Sequence, residues 1–179
     1  MRGIVAILGL SLVSLSAATL EYLSLEDMAN KSTAIVRGRV QSCTGQFRGS
    51  VIYSHCGVAV TEQWKGASGT IVDVAVPGGS AQGLVQSFPG SPTLTVGQEY
   101  VLFLWTGKSG MTQLIGLSQG VFDLKLDSKG KTVAGRAAAT ERMLTASGTE
   151  IQDSPVQMTV RSLKQRVLQA LAGGATSNQ

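Results

Sequence analysis

The sequence predicts a mainly β domain: a small barrel or orthogonally packed sheet, with a short N-terminal helix and an amphipathic helix at the C-terminus. Three observations carry that expectation. The 179 residues are 43% hydrophobic and only 15% charged, and they include 22 glycines, a composition that suits short strands and turns and excludes a coiled coil or a disordered chain. Period-two apolar segments recur between residues 34 and 126, and one helical stripe closes the chain. The length suits a single domain.

The elements follow in order. Met1-Arg2, the apolar run Gly3 to Leu15 and the small residues Ser16-Ala17-Ala18 have the form of a secretory signal peptide over residues 1–18, cut before Thr19. The apolar run is shorter than the roughly 20 residues that span a bilayer. A secreted or periplasmic protein is expected, with no membrane span after signal cleavage and a single domain over 19–179. Ser24 with Asp27 three residues on marks a helix N-cap, and that helix should end near Lys31. From Ala34 to Val40, Val36, Gly38 and Val40 share one side of a strand and Arg37 and Arg39 the other. A second strand, Val51 to Trp64, aligns Val58, Val60 and Trp64 and breaks at Lys65-Gly66-Ala67-Ser68-Gly69.

Ile71 to Val76 is a third strand, stopped by Pro77-Gly78-Gly79. Gly78 to Pro92 reads as a loop or weakly paired hairpin. Tyr100 to Trp105, apolar on both faces, should be a buried strand covered on each side. Strands near Gln113 to Leu117 and Val121 to Leu126 bring the sheet to about six. The strand core is placed at 32–134 and a connector at 135–157, with a helical turn around Ala137 to Leu144. The final helix is placed at 158–172: Val160, Leu163, Val167, Leu168 and Leu171 form its apolar stripe, Thr159 caps it and Gly173-Gly174 ends it.

Several function classes lose ground on chemistry. Without Arg2 the chain carries 14 basic and 11 acidic residues, net +3, scattered and without the basic stripe and stacking aromatics of a nucleic-acid binder. Arg37 and Arg39 read as a solvated strand face. Cys43 and Cys56, two cysteines in an exported chain, predict one disulfide closing a hairpin between the first two strands. No metal site or cofactor is expected, because His55 is the sole histidine and the two cysteines cannot complete a zinc cage.

Gly116-Leu117-Ser118-Gln119-Gly120 matches the hydrolase pattern Gly-x-Ser-x-Gly, but a strand follows it and the histidine lies upstream, so a turn is expected. Gly107-Lys108-Ser109 lacks the first glycine of a phosphate-binding loop. Glu62, Asp73, Glu99 and Asp123 fall on separate strands, and no spacing pairs two of them as glycosidase carboxylates. Basic residues Arg161, Lys164 and Arg166 on the last helix permit membrane docking, but the stripe has no aromatic anchor.

Three segments carry a resemblance. Ser32-Thr33-Ala34-Ile35-Val36-Arg37-Gly38-Arg39-Val40, Val58 to Gly66 with its Trp64-Lys65-Gly66, and Val96-Gly97-Gln98-Glu99-Tyr100-Val101-Leu102-Phe103-Leu104 together resemble the layout of the netrin and tissue-inhibitor-of-metalloproteinase modules. Exported bacterial proteins with this layout continue, as here, with Gly116 to Phe122. The resemblance covers about residues 32 to 126 and implies an OB-like barrel of five to six strands. The eukaryotic modules inhibit metalloproteinases through an N-terminal Cys-x-Cys. Here the expected start, Thr19-Leu20-Glu21, has no cysteine, so the resemblance implies the fold and not that inhibition.

The functional expectation is a non-enzymatic exported binding or interaction module whose partner is another exported protein or an envelope component. Alternatives are a secreted hydrolase with an unrecognised site and a structural envelope protein. The expected binding surface joins the hairpin tip Phe47-Arg48 to Leu84, Val85 and Phe88, apolar residues that a solvent loop has little reason to hold. The competing reading is that these residues fold back and plug an end of the barrel.

Overall fold

A computed structural model describes residues 19–66 and 69–176, and the segment 1–18, where a signal peptide is expected, lies outside them. In chain order the elements are β1 (Thr19–Glu21), α1 (Leu25–Lys31), β2 (Ala34–Arg48), β3 (Val51–Lys65), β4 (Ile71–Pro77), β5 (Gly79–Ala81) and β6 (Leu84–Gln86). There follow β7 (Glu99–Thr106), β8 (Thr112–Leu114), a 3-10 turn at Leu117–Gly120, β9 (Val121–Leu126), β10 (Thr132–Arg136), β11 (Arg142–Leu144), β12 (Glu150–Ile151), β13 (Val156–Thr159) and α2 (Val160–Thr176). Over the described residues the fold is mainly β, with two α-helices.

Local chemistry explains the first elements. Ser24 Oγ accepts the Asp27 amide, and the Asp27 carboxylate accepts the Ser24 amide, a reciprocal capping box that starts α1. The helix ends where Ser32 turns extended and its hydroxyl donates to the Met28 carbonyl. β2 and β3 are each 15 residues long and form one antiparallel hairpin, longer than the 34–40 segment that alternation marked. The outer half of β2 is largely polar and bears a glycine, which hid it from a periodicity reading, whereas β3 was expected at nearly its full length. Cys43 and Cys56 stand directly opposite each other and are bonded, their Cα atoms 4.1 Å apart. That is well short of the roughly 7 Å beyond which two cysteines cannot be bridged.

Eight strands form one sheet in the order β13-β10-β9-β7-β2-β3-β4-β8. β8 also pairs with β7, so β2, β3, β4, β8 and β7 are joined in a closed circuit of pairings, the β4–β8 link being parallel at Ala75 and Gln113. Two smaller sheets, β1-β11-β12 and β5-β6, are not strand-paired with it.

The expected five to six strands are too few, chiefly because the 135–157 connector is strand-forming. Arg142–Leu144 is β11, where a helical turn was expected; it pairs parallel with β1 and antiparallel with β12, and its Met143 is buried. Upstream, Asp153 holds the chain extended. Its carboxylate accepts both terminal nitrogens of Arg136, at 2.7 and 2.9 Å, and the Ala139 amide at 2.8 Å, so the alanines after β10 cannot close a helical turn. α2 also departs from its expected bounds, since it runs through Gly173-Gly174. Gly174 lies against α1, where a Cβ would meet Asn30 Oδ1 at 2.6 Å, so close helix packing and not chain termination accounts for that glycine.

Two apolar cores result. One gathers Val36, Val40, Cys56, Val58, Val74, Val76, Tyr100, Leu102, Leu104 and Leu114 from the circuit strands. The other joins Ile35, Val101, Phe103, Phe122 and Leu124 to Met28 and Ala29 of α1 and Leu163 and Val167 of α2. The last helix buries Leu163 and Val167 of the expected stripe fully and Leu171 partly, whereas Leu168, also assigned to that stripe, is exposed. Trp64 belongs to this second core and not with Val58. The register skips one residue on β3 at Thr61 and again at Trp64, and each such bulge disrupts strict alternation.

Candidate functional site

The hairpin β5–β6 lies across the outer end of the β2–β3 arm. Gln86 fixes it there: its Oε1 accepts the Ile52 amide at 2.7 Å and its Nε2 donates to the Ser50 carbonyl at 2.8 Å. Ser54 Oγ adds a bond to the Gly78 carbonyl at 2.8 Å. Gly45 on β2 is required by this crossing, because a Cβ there would strike the Ser80 carbonyl.

Every expected binding residue is exposed: Phe47 37%, Leu84 60%, Val85 79% and Phe88 37%, with Arg48 open beside them. The same segment also reaches inward, for Ala81 is buried and Leu94 belongs to the circuit core. Phe88 lines a cleft of about 250 Å3 together with both cysteines, Ser54, Gly78 and Leu94. Phe47 and Arg48 line a different recess, of about 500 Å3, with His55, Asp73 and Met111. In that recess Arg48 Nη1 lies 2.9 Å from Met111 Sδ, and His55 Nδ1 lies 2.8 Å from an Asp73 carboxylate oxygen. Strand alternation puts Leu84 on the Gln86 side of β6, which faces the arm, and Val85 on the other.

A second group of polar residues was not anticipated as a unit. Arg37, expected on a solvated face, is half-buried and bonds Glu62 at 2.8 Å and Glu99 at 2.9 Å. Glu62 also accepts Lys164 Nζ of α2 at 2.8 Å and the Trp64 indole N–H at 3.2 Å, while the Lys164 ammonium lies 5.9 Å from the centre of the Trp64 ring. The Lys164 bond, joined against desolvation by those from Arg37 and Trp64, holds the Glu62 carboxyl down at about 2. A carboxyl so strongly ionised is a poor general acid near neutrality, which weakens a role for Glu62 as a glycosidase acid. No sequence signal marks the cluster; cross-strand register assembles it, since Arg37 pairs with Glu62 and Arg39 with Glu99.

The Gly-x-Ser-x-Gly segment forms the 3-10 turn between β8 and β9. Gly116 is left-handed at φ 60°, and a Cβ on Gly120 would strike the Ile115 carbonyl. Its organising residue is Gln119, buried, whose Oε1 accepts the Leu23 amide and whose Nε2 donates to the Glu21 and Gly116 carbonyls. His55 is engaged with Asp73 on β3 and β4, and Ser118 gives its amide to the Gly90 carbonyl. The motif is a latch for the N-terminal segment. Among the described residues no three His, Cys, Asp or Glu side chains gather as metal ligands would, and no described helix is long and apolar enough to cross a membrane.

Neither a family model, nor a curated protein, nor a solved structure matches the chain. What defines the molecule is its own build: a disulfide-bridged, mainly β domain with an apolar-tipped hairpin laid across one end.

Proposed function

We propose that this is an exported binding module built on an OB-like barrel of the netrin and tissue-inhibitor-of-metalloproteinase type, which engages another exported protein or an envelope component. The pairing circuit supports the barrel reading. Counted along the chain its five strands run first, second, third, fifth, fourth around the ring, as a five-stranded Greek-key barrel requires. A disulfide favours an oxidising compartment, in line with a secreted or periplasmic location.

One observation carries the binding reading: Leu84 and Val85 stand 60% and 79% exposed on a hairpin that hydrogen bonds hold rigidly in place. An apolar tip on a mobile loop would be unremarkable, whereas a pinned one presents a preformed contact at little entropic cost. The decisive experiment is affinity capture from the exporting cell, using the disulfide-bonded protein as bait beside a Leu84→Ser/Val85→Ser variant. Loss of a specific partner with an unchanged melting temperature is the expected result. A lowered melting temperature with capture intact would make the hairpin a plug of the barrel end, and the binding surface would lie elsewhere.

A further inference from the structure

A recess of the molecule lies away from the hairpin, at the start of α2. Its volume is about 640 Å3, and its walls come from Arg37 of β2, Glu62 of β3, Lys131 and Thr132 at the β9–β10 turn, Thr159, and Val160, Arg161 and Lys164 of α2. Small-molecule sites commonly fall between about 300 and 1,000 Å3. Four cations and a single carboxylate therefore face one space.

That carboxylate is already committed. Glu62 holds Arg37 with one oxygen and Lys164 with the other, and the far edge of Arg37 is taken by Glu99. Lys131 and Arg161 have no carboxylate partner among the described residues, although both are exposed and line the same recess. The helix makes the imbalance larger. Its first turn contains no acidic residue and places Arg161 where the positive end of the helix dipole favours an anion. Positive side chains from three separate segments thus converge on a positive helix end, a field that an oxyanion would relieve.

We propose that this recess binds a small molecule carrying carboxylate or phosphate groups, seated between Lys131 and Arg161 and backed by Lys164. Arg37 and Glu62 act as positioning residues. Their bonds hold Lys164 at the wall, and Trp64 beneath it limits where the ammonium can move. The proposal is independent of the hairpin surface.

Amide spectra of the disulfide-intact protein at low ionic strength, titrated with citrate and separately with inorganic pyrophosphate, test it. Saturable shifts confined to Thr132, Thr159 and residues 160–164 are expected with at least one probe, and the stronger of the two identifies the preferred oxyanion. Lys131→Ser/Arg161→Ser should weaken that binding about tenfold or more, because charge-assisted bonds are lost. Lys108→Ser/Lys125→Ser removes the same charge outside the recess and should change it less than about twofold by comparison. Shifts spread over the whole basic surface, no saturation with either probe, or equal weakening in both double variants would overturn the proposal. The shift map of the unaltered protein decides the matter by itself should a variant fail to fold.

Discussion

Along β7, Tyr100, Leu102 and Leu104 point into the circuit core while Val101 and Phe103 point into the core beneath the helices. The two cores differ in how they are closed. The circuit core is made largely of valines and leucines from strands that pair around it, and the Cys43–Cys56 bridge ties two of those strands covalently. The helix-covered core uses larger pieces, Phe103, Phe122, Trp64 and Met28, and is closed by the two ends of the chain. Ion pairs fasten that closure: Lys164 to Glu62 joins α2 to β3, and Arg166 to Glu26 joins α2 to α1. A covalent bridge is indifferent to pH and salt, whereas ion pairs are not. The circuit core is therefore the more local and the helix core the more conditional.

The largest effect should come from the larger core residues. Phe103→Ala removes a fully buried ring whose centroid lies 5.8 Å from that of Phe122, and a loss of about 3–5 kcal/mol is expected by denaturant unfolding. Leu163→Ala, at the helix side of the same core, should cost about 2–5 kcal/mol. If Leu163→Ala instead leaves stability unchanged, α2 is not part of the cooperative unit and the two-core comparison fails.

Next in size is the bridge. Replacing Cys43 and Cys56 by alanine reopens a 13-residue separation and should cost roughly 3 kcal/mol in the chain-entropy model. Hydrogen exchange sharpens the point: amides of the outer β2–β3 arm should lose protection before those of α1 and α2. Uniform loss would mean that the cores unfold as one.

Gln119→Ala tests the latch, because it leaves the buried Leu23 amide without its acceptor. A loss of about 1–3 kcal/mol is expected. Ser118→Ala beside it should stay within about 0.5 kcal/mol and should not abolish any hydrolysis observed. Esterase activity lost on that change would restore a nucleophilic role.

The smallest effect is the acid limb. Glu62 has its folded pKa depressed from 4.5 to about 2, so its contribution is present above the unfolded value and fades as pH falls between them. Acid titration of Glu62→Gln against the unaltered protein should therefore show a shallower loss of stability between pH 4.5 and about 2. An identical slope in both would show that the Lys164–Glu62 pair contributes nothing to closure.

Features set by neighbours in sequence were legible without a fold. Ser24 and Asp27 are one helical turn apart, so their capping box is written locally, as is the Val160-Leu163-Val167 stripe. Val72, Val74 and Val76 announce a strand by alternation alone, and an even cysteine count beside a signal-like first segment announces the bridge. The exposed Leu84 and Phe88 stood out because apolar residues in a glycine-rich segment ask for an explanation.

Other features required the tertiary structure. Nothing local marks Arg37 as the partner of Glu62 and Glu99, 25 and 62 residues away, or Lys164 as the partner of Glu62 at a separation of 102. Those contacts exist only once strand register is fixed, and the bulges at Thr61 and Trp64 shift that register and move Trp64 out of the core its spacing implied. The strands after β10 were hidden for the same reason. A three-residue segment such as Arg142–Leu144 has too little pattern of its own, and it becomes a strand because β1 supplies hydrogen bonds and a pocket buries Met143. The sequence alone determined the pieces whose stability is settled within a turn or a strand; the tertiary structure decided everything that depends on which distant backbone stands alongside.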